Sequence, residues 1–421
     1  MDTVLRFLTC GSVDDGKSTL IGRLLYDSRA LLVDTLEGIE RTSRRRGATA
    51  PDLSLVTDGL IAEREQGITI DVAYRYFRSG ARTFIIADAP GHEQYTRNMV
   101  TAASTAQLAV LLVDVRQGLT AQTRRHALLA DLVGIPALAI AVNKMDLVDY
   151  DPAAFESVIY AFEDFAEASG LRARRHYIPM SALLGDMVVE RGAHLPWYLG
   201  PTLLEVLERT PAGHGASDHP FRFPVQWVCR PREATDPLLH DYRGLAGQVA
   251  AGTIAVGEEI VVLPSGRRST VTAIESGGVP REHAVAGDSV MIRLADDLDV
   301  GRGEMLVRAD ESAPALTRGV EADLVWLDPA PLTPRRTYLL RHTTREVQAR
   351  VETIEWNLDV ATLEREPAHE LTMNDIARVR VKLAQPIAAD PYEVLRDTGS
   401  FLLIDPATWD TVAAGMIRGT Q

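Results

Sequence analysis

The chain predicts an α/β P-loop domain followed by two small antiparallel β-barrels, and three observations carry that expectation. Short, continuous apolar runs alternate with amphipathic helical stretches up to about residue 210. A phosphate-loop pattern stands between the first run and the first helix. Beyond Phe221 the apolar pattern changes to period two, with turn signals between runs. The expected boundaries are residues 1–212, 220–312 and 315–421.

The runs in the first part are VLRFLTC, TFIIADA, LAVLLVDV and ALAIAVN, each ended by Gly, Pro, Asp or Asn. A parallel strand buried on both faces needs such continuous apolarity over about four to eight residues. Helices then cover both faces of the sheet. Residues 210–220, TPAGHGASDHP, have no periodicity and read as a linker; nothing beside their two histidines supplies further metal ligands. The half-buried antiparallel strands follow in FRFPVQWV, EEIVVLPSGRRSTVTAI and DSVMIRLADDLDV. A second β-rich block runs from Ala315 through YLLRHTTREVQARVETI, DIARVRVKLAQPI and FLLIDPATWDTVAAGMI.

Bulk properties exclude several classes. At 421 residues, the chain exceeds one ordinary core. Its 46% hydrophobic and 24% charged residues are the composition of a folded protein. Cys10 and Cys229 are too few for a disulfide framework and suit a reducing, cytoplasmic setting. The opening MDTVLRFLTCG is too short in apolar length for a signal peptide, and no run approaches the roughly 18 residues of a membrane helix. Against 58 acidic residues stand 44 basic ones, and the net charge of −14 opposes sequence-blind nucleic-acid binding without excluding a local basic patch.

Residues 11–18, GSVDDGKS, fit GxxxxGK[ST] between the strand VLRFLTC and the helical run STLIGRLLYDS. Gly11 and Gly16 let the backbone wrap closely, so that its N–H groups and the helix N-terminus face phosphates. Lys17 then reaches the β and γ groups and Ser18 binds Mg²⁺, with Thr19 beside it in the nucleotide site. Asp14 and Asp15 read either as tuning this loop or as ordinary loop polarity, and Asp14 is counted with the nucleotide site. DAPGH, residues 88–92, ends the strand TFIIADA and places Asp88 where a carboxylate can hold Mg²⁺ through water, with Gly91 beside the phosphates. Between them, EREQGITI offers Thr69 to Mg²⁺ and the γ-phosphate, as in a loop ordered by triphosphate.

NKMD, residues 143–146, follows ALAIAVN. The Asp146 carboxylate can accept from guanine N1–H and the 2-amino group, a pair that adenine lacks. Lys144 can cover the ring, Asn143 can tie this loop to the phosphate loop, and Ser181 and Ala182 can offer backbone donors to O6. The expected ligands are therefore GTP and Mg²⁺.

With these motifs in place, the chain resembles the translation-factor class of GTPases, in which His92 would orient the attacking water. More closely, it resembles the GTPase large subunit of bacterial sulfate adenylyltransferase, through GSVDDGKSTLIGRLLYDS, DGLIAEREQGITIDVAYRYF, FIIADAPGHEQYTRNMVTAAS, QTRRHALLADLVGI, VNKMDLVDYD and the closing DPYEVLRDTGSFLLID. DVAYRYF, GHEQYTRNM and QTRRH separate that family from elongation factors, which usually carry histidines where Ser12 and Asp15 stand. DAPGH departs from the usual DTPGH, and PREATDPLLHDYRG looks expanded. The resemblance implies that a separate small subunit makes adenosine 5′-phosphosulfate and pyrophosphate from ATP and sulfate, and that GTP hydrolysis here drives the step. His92, Lys17 and Thr69 would be the catalytic group. No HxGH or HxxH nucleotidyl-transfer pattern is present, in keeping with ATP and sulfate acting at the partner. Some relatives continue into an adenylylsulfate kinase domain, which would need a second P-loop; none follows Lys17. The competing reading is an elongation-factor-like carrier of aminoacyl-tRNA.

Other residues read as structural. The basic run Arg44, Arg45 and Arg46 is expected to be solvated, the five tryptophans to pack in cores or between domains, and Cys10 to be a small buried strand residue without a base to activate it.

Overall fold

A computed structural model describes residues 4–45, 51–56, 72–80, 82–89, 96–211, 216–231, 242–332, 334, 336–360 and 362–421. The chain divides into two compact units, residues 1–214 with 359–364, and residues 215–358 with 365–421.

The first unit is built on a six-stranded sheet of β1 (Val4–Gly11), β2 (Ala73–Ser79), β3 (Arg82–Asp88), β4 (Leu108–Asp114), β5 (Ala137–Asn143) and β6 (Arg174–Pro179), in the order β2-β3-β1-β4-β5-β6. β4 and β5 are buried at every position, as their unbroken apolar runs require. All neighbours are parallel except β2, which runs antiparallel to β3 at the edge and alternates exposed residues with half-buried ones and the buried Phe77. Two strands lay outside the apolar runs. Both are edge strands, β2 carrying AYRYFRS and β6 carrying RRHYIP, whose outer faces need no apolar cover.

Helices α1 (Lys17–Asp27), α2 (Val33–Arg45), α3 (Thr96–Ala103), α4 (Ala121–Leu132), α5 (Pro152–Ser169) and α6 (Leu203–Arg209) connect the strands. Their caps follow the sequence: Thr120 accepts from Thr123 N–H, Asp151 accepts from Ala153 N–H, and Thr202 and Glu205 form a capping box. Because β1 lies between β3 and β4, the chain leaves it to one side and later returns to the other. Ligands bind at such a switch point, outside the carboxyl ends of the strands. Gly11, Asp88, Asp114 and Asn143 end β1, β3, β4 and β5 at that edge.

The second unit holds two closed rings of six strands. In the first, β7 (Phe223–Cys229), β8 (Gly244–Gln248), β9 (Glu259–Leu263), β10 (Arg267–Ser276), β11 (Ser289–Leu294) and β12 (Met305–Arg308) run β9-β12-β7-β8-β11-β10, and β10 pairs back to β9. In the second, β13 (Ala315–Trp326), β14 (Thr337–His342), β15 (Arg345–Leu358), β16 (Ile376–Ala389), β17 (Ser400–Ile404) and β18 (Thr411–Thr420) close through β14 and β15. Closure removes the exposed edges. The barrels share a buried ion pair, with Arg222 Nε 2.9 Å from Asp390 Oδ2 and Nη2 3.0 Å from Oδ1. Thr398 adds a hydroxyl 2.6 Å from Asp390 Oδ2.

The tryptophans correct one expectation. Trp326 is buried and edge-on to Tyr338, and Trp197 is partly buried, but Trp227 and Trp409 are 61% and 67% exposed. Trp356 lies beneath the guanidinium groups of Arg365 and Arg378. Cys10 is buried and its thiol is pushed up to about 12 by burial, with Lys17 opposing, which leaves no thiolate. Arg44 is exposed and paired only loosely with Glu40 on its own helix. Residues 212–215, in the linker, and 232–241, in the expanded stretch, lie outside the described residues.

Candidate nucleotide-binding site

The loop between β1 and α1 turns through left-handed residues Asp14, at φ 66°, and Gly16, at φ 98°. A Cβ on Gly16 would stand 2.6 Å from the side-chain nitrogen of Asn143. Glycine is therefore required there by both conformation and space. Gly16 is also the N-cap of α1 and supplies no side-chain acceptor, so the first-turn N–H groups keep their capacity for an anion.

Lys17 folds back over the loop, donating to the Gly11 carbonyl at 3.1 Å and the Ser12 carbonyl at 2.9 Å. Burial lowers its pKa, while Asp88 and Asp15 act in the opposite direction. A buried ammonium directed into a loop of amides suits phosphate oxygens. Asp15 proves to be an internal brace: it is buried and accepts the Ser12 N–H at 2.6 Å. Burial raises its pKa, against the Ser12 bond and Lys17. Ser18 and Thr19 are half-buried at the start of α1.

Asp88 is buried at the end of β3, opposite Thr9 in β1, whose hydroxyl donates to it at 3.2 Å. A carboxylate here and the Ser18 hydroxyl are hard oxygen donors of the kind Mg²⁺ takes. Thr69, Gly91 and His92 lie outside the described residues.

Asn143 links the two recognition loops. Its side-chain N–H group donates to the Asp15 carbonyl at 2.8 Å, and its oxygen accepts Ala182 N–H at 2.9 Å. Lys144, at φ 65°, donates to the Asp14 carbonyl at 2.5 Å and to Asp114 Oδ2 at 2.9 Å. Asp146 is half-exposed in the 3₁₀ turn Met145–Val148, and its carboxylate accepts no hydrogen bond among the described residues. It is thus available to a ligand. Ser181 lies within the buried turn that carries Ala182, its hydroxyl accepting Leu184 N–H at 3.2 Å. The backbone donors expected for O6 are both engaged within the protein, Ser181 N–H on the Asp186 carbonyl at 3.2 Å and Ala182 N–H on Asn143.

Three supporting residues had no assigned role in the sequence. Asp114 ends β4 and receives Lys144 and Arg116; burial alone pushes it up, but these hydrogen bonds outweigh it and hold it at about 2. His126, the last residue of QTRRH, accepts Gly11 N–H at Nδ1 over 3.1 Å, beneath the start of the phosphate loop. Burial, with Lys17 and Arg125 adding to it, drives this histidine down to about 3, so it is neutral. Arg23, one turn along α1, donates to the Ala182 and Leu183 carbonyls at 3.4 and 2.5 Å. Of these, only QTRRH carried a sequence signal.

Comparison with known proteins agrees with this geometry. Residues 2–212 match the elongation factor Tu GTP binding domain, and residues 319–418 match a GTP-eEF1A C-terminal domain-like family. Sulfate adenylyltransferase subunit 1 of Sulfurovum sp. is 46% identical, over 99% of this chain and 88% of that protein. The protein of the same name from Laribacter hongkongensis is 47% identical, over 99% and 86%. The bifunctional enzyme CysN/CysC of Mycobacterium tuberculosis is 50% identical, over 99% of this chain and 67% of that protein. A solved structure of sup35 complexed with GDP aligns over 100% of this chain and 95% of that one at 24% identity, with a TM-score of 0.45. Full-length likeness at this level, joined to the phosphate and base loops at one sheet edge, places the chain in the family of sulfate adenylyltransferase subunit 1, with a GTP-binding domain of the elongation factor Tu type.

Proposed function

We infer that the chain is the GTP-hydrolysing, energy-coupling subunit of a sulfate adenylyltransferase. A separate catalytic small subunit joins sulfate to the adenylyl group of ATP, and GTP hydrolysis here drives that unfavourable step. The single observation that carries the nucleotide half is the Asn143 bridge, which fixes the base loop against the phosphate loop. Support for the sulfate half comes from relatives called subunit 1, a name that implies a partner, at 46–47% identity over nearly the whole chain. The same likeness favours this reading over aminoacyl-tRNA delivery.

In this account Gly11, Asp14, Gly16, Lys17, Ser18, Thr19 and Gly91 surround the phosphates, and Asn143, Lys144, Asp146, Ser181 and Ala182 recognise guanine. Ser18, Thr69 and Asp88 would hold Mg²⁺, which would supply neutralisation of phosphate charge there. Water positioned by His92 attacks the γ-phosphorus, the bond to the bridging oxygen breaks, the water's proton passes to the inorganic phosphate that forms, and GDP leaves with Lys17 balancing the charge. Residues 1–212 would form the GTPase domain, with the barrels at 220–312 and 315–421. No described helix is long and apolar enough to cross a membrane, and the setting we propose is the cytoplasm.

His92→Ala tests the hydrolytic step. The expected result is GTP affinity within about threefold of the parent and turnover reduced by at least about a hundredfold. Unchanged turnover removes His92 from the mechanism.

A further inference from the structure

The loop carrying Asp146 is conformationally demanding. Lys144, Asp149 and Tyr150, none of them glycine, have φ of 65°, 51° and 56°. Side chains seldom adopt this region, and such residues persist where the surroundings over-determine them. Four contacts do so at the far end of the loop. Tyr150 N–H donates to the Met145 carbonyl at 2.9 Å, and its own carbonyl accepts the Trp197 indole N–H at 3.0 Å. Its hydroxyl donates to Asp186 Oδ2 at 2.7 Å, and its ring stacks on His194, with centroids 4.9 Å apart and planes 10° from parallel.

Asp186 belongs to the other base loop. It lies five residues beyond Ser181, is 4% exposed, and its carbonyl accepts Ser181 N–H at 3.2 Å. A buried carboxylate needs partners, and among the described residues it has the Tyr150 hydroxyl and His194 Nδ1 at 3.0 Å. A Cβ on Gly192 would come 1.9 Å from Asp186 Oδ1, so the segment leading to His194 closes directly over the carboxylate. Asn143 therefore ties the base loops at one end, and Tyr150 with Asp186 ties them at the other.

We propose that Tyr150, Asp186 and His194 are positioning residues for guanine selectivity, a network that fixes the Asp146 loop against the Ser181–Ala182 turn so that the Asp146 carboxylate meets the base at the right place. The inference rests on reading those loops as the base site. None of the three is assigned a contact with the ligand. Their effect falls on the two-point contact of Asp146 with N1–H and the 2-amino group, since a bidentate pair is sensitive to small displacement. Hypoxanthine lacks the 2-amino group, so IDP measures binding without that second point.

The test is titration of the full chain with GDP and IDP. Tyr150→Phe keeps the ring stack and removes only the hydroxyl. It is expected to weaken GDP about tenfold and IDP about threefold or less, so that the preference for GDP over IDP falls. His194→Ala, at a half-exposed position that tolerates truncation, should shift the preference in the same direction by a smaller factor. Equal losses for the two nucleotides, or none in either variant, overturn the proposal. Asp146→Asn in the same titration separates the two layers. Lost preference for GDP there, with none lost in Tyr150→Phe, sinks the network alone; retained preference in Asp146→Asn sinks the base-site reading beneath it.

Discussion

Asn143 is joined to Asp15 by a side-chain to main-chain hydrogen bond of 2.8 Å that spans the base and phosphate loops. Its other end takes Ala182 N–H, and the residue is buried. One side chain thereby sets three segments. Asn143→Ala leaves two buried main-chain groups without partners, at about 1–3 kcal/mol each. The expected outcome is a loss of about 2–4 kcal/mol in stability and at least about a hundredfold weaker GDP binding. Denaturant unfolding and nucleotide titration of the same sample check both.

Lys17 predicts effects of opposite sign. Its ammonium is buried against carbonyls, and burial disfavours the charge. Lys17→Met should raise the stability of the nucleotide-free protein by about 1 kcal/mol, because an apolar group of similar length replaces a desolvated cation. GTP affinity should fall about a hundredfold or more. Thermal unfolding with and without GTP distinguishes this from general damage, which would lower both.

His126 gives the phosphate loop an acid limit. Its pKa falls from 6.5 to about 3 on folding. A histidine held neutral contributes stability that is fully present above its unfolded pKa and lost as pH falls through the window toward the folded value. Between about pH 7.5 and about pH 5 the loss from this residue should be about 2 kcal/mol. His126→Gln, which can still accept Gly11 N–H, should flatten that part of the curve when unfolding free energy is measured across the range. An unchanged acid slope would show that His126 is not the titrating group.

Arg222 and Asp390 predict coupling of the two barrels. Each is buried, and each would leave an uncompensated charge if the other were removed. Arg222→Ala should cost about 3–5 kcal/mol, whereas replacing both by apolar residues should recover most of the loss. A double-mutant cycle on unfolding free energies measures the difference.

Much of this organisation is legible in the sequence for identifiable reasons. Strands buried on both faces must be apolar throughout, so β1, β3, β4 and β5 stand out, whereas β2 and β6 at the edges carry AYRYFRS and RRHYIP and do not. The phosphate loop and NKMD are legible because contact with a ligand restricts residue type at fixed spacing. His126, Arg23, Tyr150 and Asp186 act through long-range contacts to those loops, and a linear pattern does not encode what lies opposite a side chain. QTRRH was visible as a motif, yet its contact with Gly11 spans 115 positions of chain. Trp227 and Trp409 are the reverse case, where residue type suggests a core and the barrels leave the rings exposed.

GTP turnover on this chain, as proposed, is coupled to sulfate activation by a partner. The direct measurement mixes the purified chain with a candidate catalytic small subunit, supplies ATP and sulfate, and follows adenosine 5′-phosphosulfate with and without GTP. Product is expected to rise with GTP, accompanied by faster GTP hydrolysis when the partner and its substrates are present. GTP hydrolysis with no complex and no GTP-dependent product would contradict it.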